Sequence, residues 1–350
     1  MHTIGLAEAR NRAAGFRLQR HDGIDPIERR RAERQGARLD AAKAVTLKEC
    51  AATYTASHRP GWRNPKHAAQ WEATLATYAE PVMGGLSVQA IDTALVLKVL
   101  EPIWTVKPET AGRVRGRIES ILDWAKARGY RAGENPARWR GHLDKLLPSR
   151  SKVQRVEHHA ALPYAELPRF LVSLREQEVI AARALELAIL TAARTGEVIG
   201  AQWGEMDLLG KTWTLPAVRM KAGREHRVPL SGPALAILQE MQAHRHADDA
   251  FVFPGAKPGR PLSNMAFLML LRRMGRADLT AHGFRSSFRN WAAERTNFPA
   301  EVAEMALAHT VSDKTVAAYN RSDLFERRRR LMAAWATFCT ALEQKAQTPR

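Results

Sequence analysis

The chain has 350 residues, of which 54 are Lys or Arg and 36 are Asp or Glu, so its formal net charge is +18. That length exceeds one core of the usual size and favours two or three domains. The cationic excess argues against an ordinary acidic or neutral enzyme and indicates a polyanionic partner, either nucleic acid or an anionic membrane surface. An apolar fraction of 45% is enough to build cores, which excludes wholesale disorder.

The sequence carries no signs of a membrane or secreted protein. It has no run of about eighteen apolar residues free of charge, so no transmembrane helix is expected. The N-terminus has scattered arginines and no apolar central region, unlike a secretory signal. Cys50 and Cys339 lie far apart and in no motif, which disfavours a disulfide framework and a Cys-ligated metal site. We therefore expect a cytoplasmic protein.

The positive charge is spread along the chain and not collected in one tail. Net charges of +4, +8 and +6 fall on residues 1–45, 46–155 and 156–350. In a DNA clamp made of two domains, both domains carry positive charge, whereas in a protein with a basic tail the positive charge is concentrated at one end of the chain. The distribution favours the clamp.

Residues 1–45 are predicted to form an arm or the remnant of a domain. An Arg-rich helix is expected around Ala7–Arg20, followed by a break at residues 22–26. A second helix is expected to begin at Pro26, since Pro suits the first helical turn. The segment has few large apolar residues, so it cannot form a core alone.

Residues 46–132 are predicted to form a small all-helical domain. Thr46 and Glu49 fit a capping box. Helical spacing of apolar residues follows in two stretches, comprising Trp71, Leu75 and Tyr78 in the first, and Ile118, Ile121, Leu122 and Ala125 in the second. Residues 133–160 mix Gly, Pro, Arg and Lys without a long apolar period, which predicts a linker.

Residues 161–350 are predicted to form a second domain, mostly helical with one small antiparallel sheet. The sheet is a hairpin of Thr212–Leu215 and Arg227–Leu230 around a turn at residues 221–224. The expected helices are Glu178–Ala193, Pro233–Arg245, Ser263–Met274, Gly283–Glu294, Pro299–His309, Asp313–Tyr319 and a final helix whose apolar stripe is Leu331, Trp335, Phe338 and Leu342. That stripe packs either on its own domain or on a neighbouring protomer.

The motifs of common cofactor sites are missing from the sequence. There is no HExxH or CxxC pattern, and His158-His159 is a polar pair in the predicted linker. No GxGxxG or Walker loop follows a predicted strand. We therefore expect neither a metal nor a nucleotide cofactor.

A set of cationic and nucleophilic side chains is spread along the second domain. Its members, in chain order, are Arg194, Lys221, His282, Arg285, His309 and Tyr319. Glu197 lies three residues after Arg194, close enough on a helical turn to hold its guanidinium. Considered alone, each of these side chains is most simply explained by a structural role: a helix cap, a solvent-exposed residue or a half-buried residue that packs against its neighbours.

Taken together, these side chains suit chemistry on a phosphodiester. Two guanidiniums can hold the nonbridging oxygens with forked, permanently charged donors. Histidines can move protons near neutral pH, and a lysine can protonate a leaving oxygen. A tyrosine hydroxyl can be a covalent nucleophile. No step in this list requires a metal.

The order Arg–Lys–His-x-x-Arg–His–Tyr resembles the tyrosine recombinases, also called phage-type integrases. The matching stretches are TAARTGEVIGAQWGEMDL, VRMKAGREHRVPLS, LTAHGFRSSFRNWA, ALAHTVSDKTVAAYNRSD and FERRRRLMAAWATF. They cover most of residues 165–340. Residues 46–132 are similar in kind to the family's helical core-binding (SAM-like) domain, and the stretch LAEAR…GIDPIERRRA looks like the end of its arm-type DNA-binding domain. One departure is Ala192, where the family commonly has Gly.

The resemblance implies a role for each residue. Arg194 and Arg285 would bind the scissile phosphate, with Glu197 supporting the site. Lys221 would be the general acid toward the leaving 5′ oxygen. His282 would assist proton transfer, and His309 would hydrogen-bond the phosphate. Tyr319 would attack to give a 3′-phosphotyrosyl link and a free 5′ hydroxyl.

The resemblance also implies an architecture and partners. A helical core-binding domain and a mixed α/β catalytic domain would form a C-shaped clamp on double-stranded DNA at attachment sites. Four protomers would exchange strands, with DNA-bending accessory proteins as possible partners and the nucleoid as location. The expected function is that of an integrase of a phage or genomic island. The alternatives are a type IB-like topoisomerase activity, a non-catalytic DNA-binding regulator of the same fold and, more remotely, a membrane-surface protein.

Overall fold

A computed structural model describes residues 4–42, 44–62, 65–153, 161–220, 222–309 and 323–342. The chain divides into two compact units between Val156 and Glu157. Within the described ranges, no helix combines the length and the apolar character needed to cross a membrane.

The first unit is built from helices. In chain order they are α1 (Leu6–His21), α2 (Pro26–Ala42), α3 (Leu47–His58), α4 (Pro65–Tyr78), α5 (Thr93–Trp104), α6 (Pro108–Ala127) and the short α7 (Arg150–Val153). The predicted break after the first helix and the start of the second at Pro26 are confirmed. No residue of α1 is buried, as its shortage of large apolar side chains predicts.

The predicted capping box at the start of α3 is confirmed. The backbone N–H of Glu49 donates to Thr46 Oγ1 at 3.2 Å, and the backbone N–H of Thr46 donates to Glu49 Oε2 at 2.9 Å. The bond from the Thr46 backbone, together with one from the Thr46 hydroxyl to the same carboxylate oxygen at 2.8 Å, lowers the pKa of Glu49. The box satisfies two backbone donors that a helix start otherwise leaves without partners.

Part of the predicted linker is instead part of this unit's core. Ala137, Leu143 and Leu147 are at most 7% exposed and pack with the apolar residues of α5 and α6. The indole of Trp104 donates to the carbonyl of Pro148 at 2.9 Å. The prediction failed here because single apolar residues in irregular backbone show no period, although they fill a core equally well.

The second unit combines helices with a three-stranded antiparallel sheet. Its helices are α8 (Leu167–Arg175), α9 (Ile180–Thr191), α10 (Thr195–Ile199), α11 (Gly232–Met241), α12 (Ala266–Arg273), α13 (Gly283–Arg295), α14 (Ala300–Ala306) and α15 (Phe325–Cys339). Its strands are β1 (Met206–Asp207), β2 (Thr212–Leu215) and β3 (His226–Pro229), in the order β1-β2-β3. The expected fold class, mainly α with a small antiparallel sheet, is confirmed. The predicted helix at Asp313–Tyr319 lies outside the described residues.

The predicted hairpin is present with one strand displaced by a residue. Leu215 pairs with His226 and Thr212 with Pro229. β1 was not predicted, since two residues are too short to show an alternating pattern.

The core of the second unit surrounds α9, which is buried along almost its whole length. The final helix α15 packs against it, and the indole of Trp335 donates to the carbonyl of Ile189 at 2.9 Å. Leu331 and Trp335 are completely buried, whereas Leu342 is 45% exposed. The apolar stripe of α15 therefore packs mainly on its own domain.

The arginine run at residues 327–330, near the start of α15, contains a buried member. A solvated face is the simplest reading of four consecutive arginines, yet Arg328 is only 1% exposed. Its guanidinium donates to the backbone carbonyls of Asp323 and Arg227 and to the Asp323 carboxylate. Arg328 thus fastens the start of α15 to β3.

Candidate active site

Arg194 lies at the corner between α9 and α10, where the backbone reverses direction. Ala192 ends α9 in the left-handed conformation (φ 52°, ψ 24°), and Arg194 is the extended N-cap of α10. Glu197 Oε2 accepts the backbone N–H of Arg194 at 2.8 Å, while Oε1 accepts its Nη1 at 2.8 Å. The expected pairing is confirmed, and Glu197 holds both the backbone and the side chain of Arg194.

The left-handed conformation of Ala192 explains why a glycine suits this position, and it supports a stability prediction. A side chain with a Cβ pays about 1–2 kcal/mol for this conformation, whereas glycine adopts it freely. Allowing for glycine's larger unfolded-state entropy, we expect Ala192→Gly to stabilise the protein by about 0.5–1 kcal/mol. Urea unfolding measures the change. Ala188→Gly, inside α9, is the matched control and should instead destabilise by about 1 kcal/mol. Equal destabilisation by both variants would contradict the prediction.

Arg285 is buried at the start of α13, only 5% exposed. Its Nη1 donates to the carbonyl of Ala192, and its Nη2 donates to the carbonyl of Leu307 at 2.6 Å. Both carbonyls belong to residues at helix C-terminal ends, where the backbone dipole favours a cation. Its Nε is buried and has no hydrogen-bond partner among the described residues.

The buried guanidinium keeps its charge at neutral pH. Burial and the positive charge of Arg194 together lower the pKa of Arg285 to about 10, against the opposing effect of Glu197 and Glu304. The value stays about three units above neutrality. A permanent charge in a partly desolvated site interacts more strongly with an anion than the same charge in water.

His309 follows α14 and contacts Arg285. Its Nε2 lies 3.2 Å from Arg285 Nη2, and its Nδ1 lies 2.7 Å from Glu304 Oε2. Burial raises the pKa of Glu304, but hydrogen bonds from Arg289 and His309 outweigh burial, and the pKa is lowered overall. The ionised carboxylate can only accept, so Nδ1 carries a proton and Nε2 faces the arginine.

Two consecutive carbonyls after α14 accept from arginines that lie far apart in sequence. The carbonyl of Leu307 accepts from Arg285 and that of Ala308 accepts from Arg194 Nη2 at 3.1 Å. Ala308 is itself left-handed, with φ 49°. The chain end after α14 thus gathers residues that are far apart in sequence.

Two residues of this site were not predicted from the sequence. His226 is half-buried beside Arg194, Glu197 and Arg328. Arg219 forms an ion pair with Glu205 and donates to the carbonyl of Glu197 at 2.6 Å. Their places in the sequence could have suggested both residues, because Arg219 lies shortly before Lys221 and His226 shortly after it.

His226 gives the protein a predicted acid sensitivity. Burial and the charges of Arg328 and Arg194 lower its pKa from 6.5 to about 4. Between these values the unfolded chain binds a proton that the folded protein does not, so stability falls as the pH falls from 6.5 toward 4. We expect wild type to lose about 1–3 kcal/mol more than His226→Gln over that window. Urea unfolding at pH 7, 5.5 and 4.5 measures the difference, and parallel losses in both proteins would contradict it.

The structure brings together four of the predicted residues. Arg194, Glu197, Arg285 and His309 are connected by the hydrogen bonds given above. His282 is exposed at the N-cap of α13, one turn before Arg285. Lys221 and Tyr319 lie outside the described residues. In the described part of the chain, no cluster of three or more His, Cys, Asp or Glu side chains could hold a metal ion.

The segment that contains Tyr319 is bounded by two anchored residues. His309 precedes it, held by Arg285 and Glu304. Asp323 follows it and pairs with Arg227 at 2.7 Å and with Arg328 at 3.1 Å. Although burial raises the pKa of Asp323, these two arginines lower it overall. Its carboxylate is therefore ionised at neutral pH.

Two family models match most of the chain. A model described as phage integrase family matches residues 161–324, and one described as phage integrase central domain matches residues 47–142. Prophage integrase IntZ of Escherichia coli (strain K12) is 35% identical, over 95% of this chain and 80% of its own length. The integrase of Enterobacteria phage P4 is 26% identical, over 96% and 78%.

Solved structures share the fold at low sequence identity. A lambda integrase tetramer bound to a Holliday junction matches with a TM-score of 0.62 at 15% identity, covering 79% of this chain and 81% of that one. The Tn1549 transposon integrase in complex with circular intermediate DNA matches with a TM-score of 0.59 at 14% identity, covering 80% and 96%. These matches show that the chain shares the fold of these proteins.

Proposed function

Because the chain belongs to the phage integrase family of tyrosine recombinases, we propose that it cleaves and rejoins duplex DNA through a 3′-phosphotyrosyl intermediate at Tyr319. Its reaction class is tyrosine site-specific recombination. The observation that carries the residue assignment is the convergence of Arg194, Arg285 and His309 on the end of α14. Two guanidiniums and an imidazole gathered at one helix end form a cationic cradle of the kind that a phosphodiester needs.

The two arginines would hold the nonbridging oxygens of the scissile phosphate. Arg285 is fixed by the carbonyls of Ala192 and Leu307. Arg194 is fixed by Glu197 and Ala308, and its side chain is 30% exposed. Preorganised donors stabilise the charge that develops in the transition state without reorganising during the reaction. His309 adds a donor once Nε2 is protonated.

Proton transfer completes the reaction. The Tyr319 hydroxyl attacks phosphorus and loses its proton, with His282 as the assisting base. The bond from phosphorus to the 5′ oxygen breaks, and Lys221 supplies a proton to that oxygen. The phosphotyrosyl diester conserves the phosphodiester's free energy, so attack by a 5′ hydroxyl rejoins DNA without ATP.

The charge supplied by the two arginines supports a prediction about metal removal. They provide the electrostatic stabilisation that Mg²⁺ gives in many phosphoryl transfers. We expect the cleavage rate in excess EDTA to stay within about twofold of the rate without it, at matched ionic strength. Time courses of adduct formation measure this. Complete loss in EDTA that added Mg²⁺ restores would contradict the prediction.

The partner is DNA, and the active assembly is multimeric. We propose that double-stranded attachment sites of a phage or genomic island are bound, that four protomers exchange strands, and that DNA-bending proteins assist. The charge of +18 supports binding dominated by phosphate contacts. Residues 1–45 are proposed as an arm-type DNA-binding segment, residues 46–132 together with the packed part of 133–153 as the core-binding domain, and residues 161–350 as the catalytic domain.

The test is to locate the covalent adduct on DNA flanking the gene. Purified protein is incubated with tiled, nicked duplexes from that region, and adducts are detected by denaturing electrophoresis. Mass spectrometry of the trapped peptide identifies the linked residue. We expect a 3′-phosphotyrosyl link at Tyr319 and joining to a second duplex. Adducts that reseal without ever joining a second duplex would indicate a topoisomerase activity instead, and no adduct would favour a non-catalytic regulator.

A further inference from the structure

The end of α14 brings Glu304 and His309 together. The backbone N–H of His309 donates to the carbonyl of Glu304 at 3.0 Å, and the N–H of Ala308 donates to the carbonyl of Met305 at 3.0 Å. With Leu307 as the C-cap and Ala308 left-handed at φ 49°, this is a Schellman motif. In such a motif the third-last helical residue and the second residue after the cap commonly touch, and here these are Glu304 and His309.

A hydrogen bond also joins the two side chains. His309 Nδ1 lies 2.7 Å from Glu304 Oε2. Although burial raises the pKa of Glu304, the hydrogen bonds from Arg289 and His309 lower it overall, so the carboxylate is ionised and accepts from Nδ1. The contact between these positions is frequently apolar. An ionic pair is not required to end a helix in this way, so its presence calls for another explanation.

We propose that Glu304 is a positioning residue for His309, whose hydrogen bond holds the proton on Nδ1 and turns Nε2 toward the scissile phosphate. This inference rests on the proposed function, because it concerns the role of His309 at that phosphate. Glu304 would touch neither the phosphate nor the attacking hydroxyl.

The His309 ring depends on polar contacts for its orientation. Its side chain is 41% exposed, so packing alone does not fix it. Nδ1 contacts Glu304, and Nε2 lies 3.2 Å from Arg285 Nη2. Without the carboxylate, rotation about χ2 can carry Nε2 away from the cradle. A carboxylate bound to one imidazole nitrogen fixes the tautomer and the ring orientation, so that the other nitrogen serves the reaction.

Glu304 is itself held from α13. Arg289 Nε donates to Glu304 Oε1 at 2.6 Å, so each carboxylate oxygen has a partner of its own. Arg289 lies four residues after Arg285, on the same face of α13. This helix therefore contacts both members of the pair, His309 through Arg285 and Glu304 through Arg289. A carboxylate held at both oxygens has little freedom to swing away from the imidazole.

A double-mutant cycle tests whether Glu304 acts through His309. Single-turnover adduct formation on a nicked duplex is measured at saturating protein, and DNA affinity is measured separately. We expect His309→Ala to slow cleavage by about 10²-fold, through loss of a donor to the phosphate. Glu304→Ala should slow it by about 10–10²-fold, through loss of positioning. Affinity should stay within about threefold of wild type in both.

The double variant separates a shared effect from two independent ones. We expect Glu304→Ala combined with His309→Ala to cleave within about threefold of His309→Ala alone, because no ring remains to be positioned. Two independent losses would instead multiply, to about 10³–10⁴-fold.

Glu301→Ala is the matched control. Glu301 lies one turn earlier on α14, so this variant also removes one carboxylate from the helix. It should cleave at the wild-type rate, which separates positioning from the change in net charge. Equal slowing by Glu301→Ala and Glu304→Ala would overturn the inference.

Glu304→Gln keeps the size of the side chain and replaces Glu304→Ala in the cycle if the Ala variant loses DNA binding. The amide oxygen can accept from Arg289, which turns the NH₂ group toward Nδ1 and leaves that nitrogen without an acceptor. We therefore expect cleavage to slow by about tenfold or more. In the His309→Ala background the Gln substitution should have no further effect.

If both Glu304 variants cleave at the wild-type rate while His309→Ala is slow, Glu304 does not position the ring; the inference is then wrong and the proposed function stands. Losses that multiply in the double variant also overturn it, because Glu304 then affects cleavage by another route. If His309→Ala cleaves at the wild-type rate, the role of His309 in the proposed function is wrong, and that of Glu304 falls with it.

Discussion

Replacing Tyr319 with Phe is expected to abolish covalent protein–DNA adducts, while DNA affinity stays within about threefold of wild type. The substitution removes one hydroxyl oxygen, the atom that would bond to phosphorus, and leaves the ring. Affinity should persist because it comes mainly from cationic contacts with the backbone, which the variant retains. Adduct formation is measured on a nicked duplex. Cleavage releases a short fragment that diffuses away, so the DNA cannot be rejoined and the covalent intermediate accumulates.

Tyr164→Phe is the matched control for this variant. Tyr164 lies in the second unit, and its hydroxyl donates to Glu294 at 2.8 Å. This hydrogen bond does not involve Arg194, Arg285 or His309. Its loss removes one surface hydrogen bond and should leave adduct formation at the wild-type level. Adducts formed normally by Tyr319→Phe would assign the nucleophile to another residue.

Features that depend on neighbouring residues could be predicted from the sequence. The capping box at Thr46 and the pairing of Arg194 with Glu197 each span three residues, so the helical geometry alone brings the partners together. The hairpin was predicted to within a residue because alternation and a turn signal are local patterns. The hydrogen bonds of all three are present in the structure.

Features that depend on distant chain segments could not be predicted. Arg328 lies in a run of arginines, and only the tertiary fold distinguishes the buried member, which bonds to a residue 101 positions away. The sequence also does not show that the carbonyls after α14 accept from the two arginines, because every residue has a backbone carbonyl. His226 belonged to a quoted motif, yet its proximity to Arg194, which is distant in sequence, arises only in the tertiary fold.

The left-handed alanines connect this local geometry with the site. Ala192 and Ala308 both have positive φ, and the carbonyl of each accepts from an active-site arginine. A left-handed residue after a helix turns the chain sharply and leaves carbonyls at the helix end without helical partners. The guanidiniums satisfy these carbonyls. The strain at the two alanines therefore accompanies the hydrogen bonds that orient Arg194 and Arg285.

Arg285→Lys is expected to slow cleavage by about 10²–10³-fold, the usual cost of losing a preorganised donor to a developing oxyanion. Lysine retains the charge but replaces a rigid fork by a single ammonium. It cannot reach Ala192, Leu307 and His309 while also offering a donor to phosphate. The variant should also lose about 1–3 kcal/mol of stability, because buried carbonyls lose their partners.

Arg194→Lys is the matched comparison, since both arginines would bind the same phosphate. The Arg194 side chain is 30% exposed, against 5% exposure of the Arg285 residue, so water can solvate the carbonyl of Ala308 when the fork is removed. We therefore expect a comparable loss of cleavage with a smaller loss of stability. Single-turnover cleavage at saturating protein and urea unfolding separate the two effects. If Arg285→Lys cleaves at the wild-type rate, the buried guanidinium serves only to hold α9 and α14 together, and phosphate binding depends on Arg194 alone.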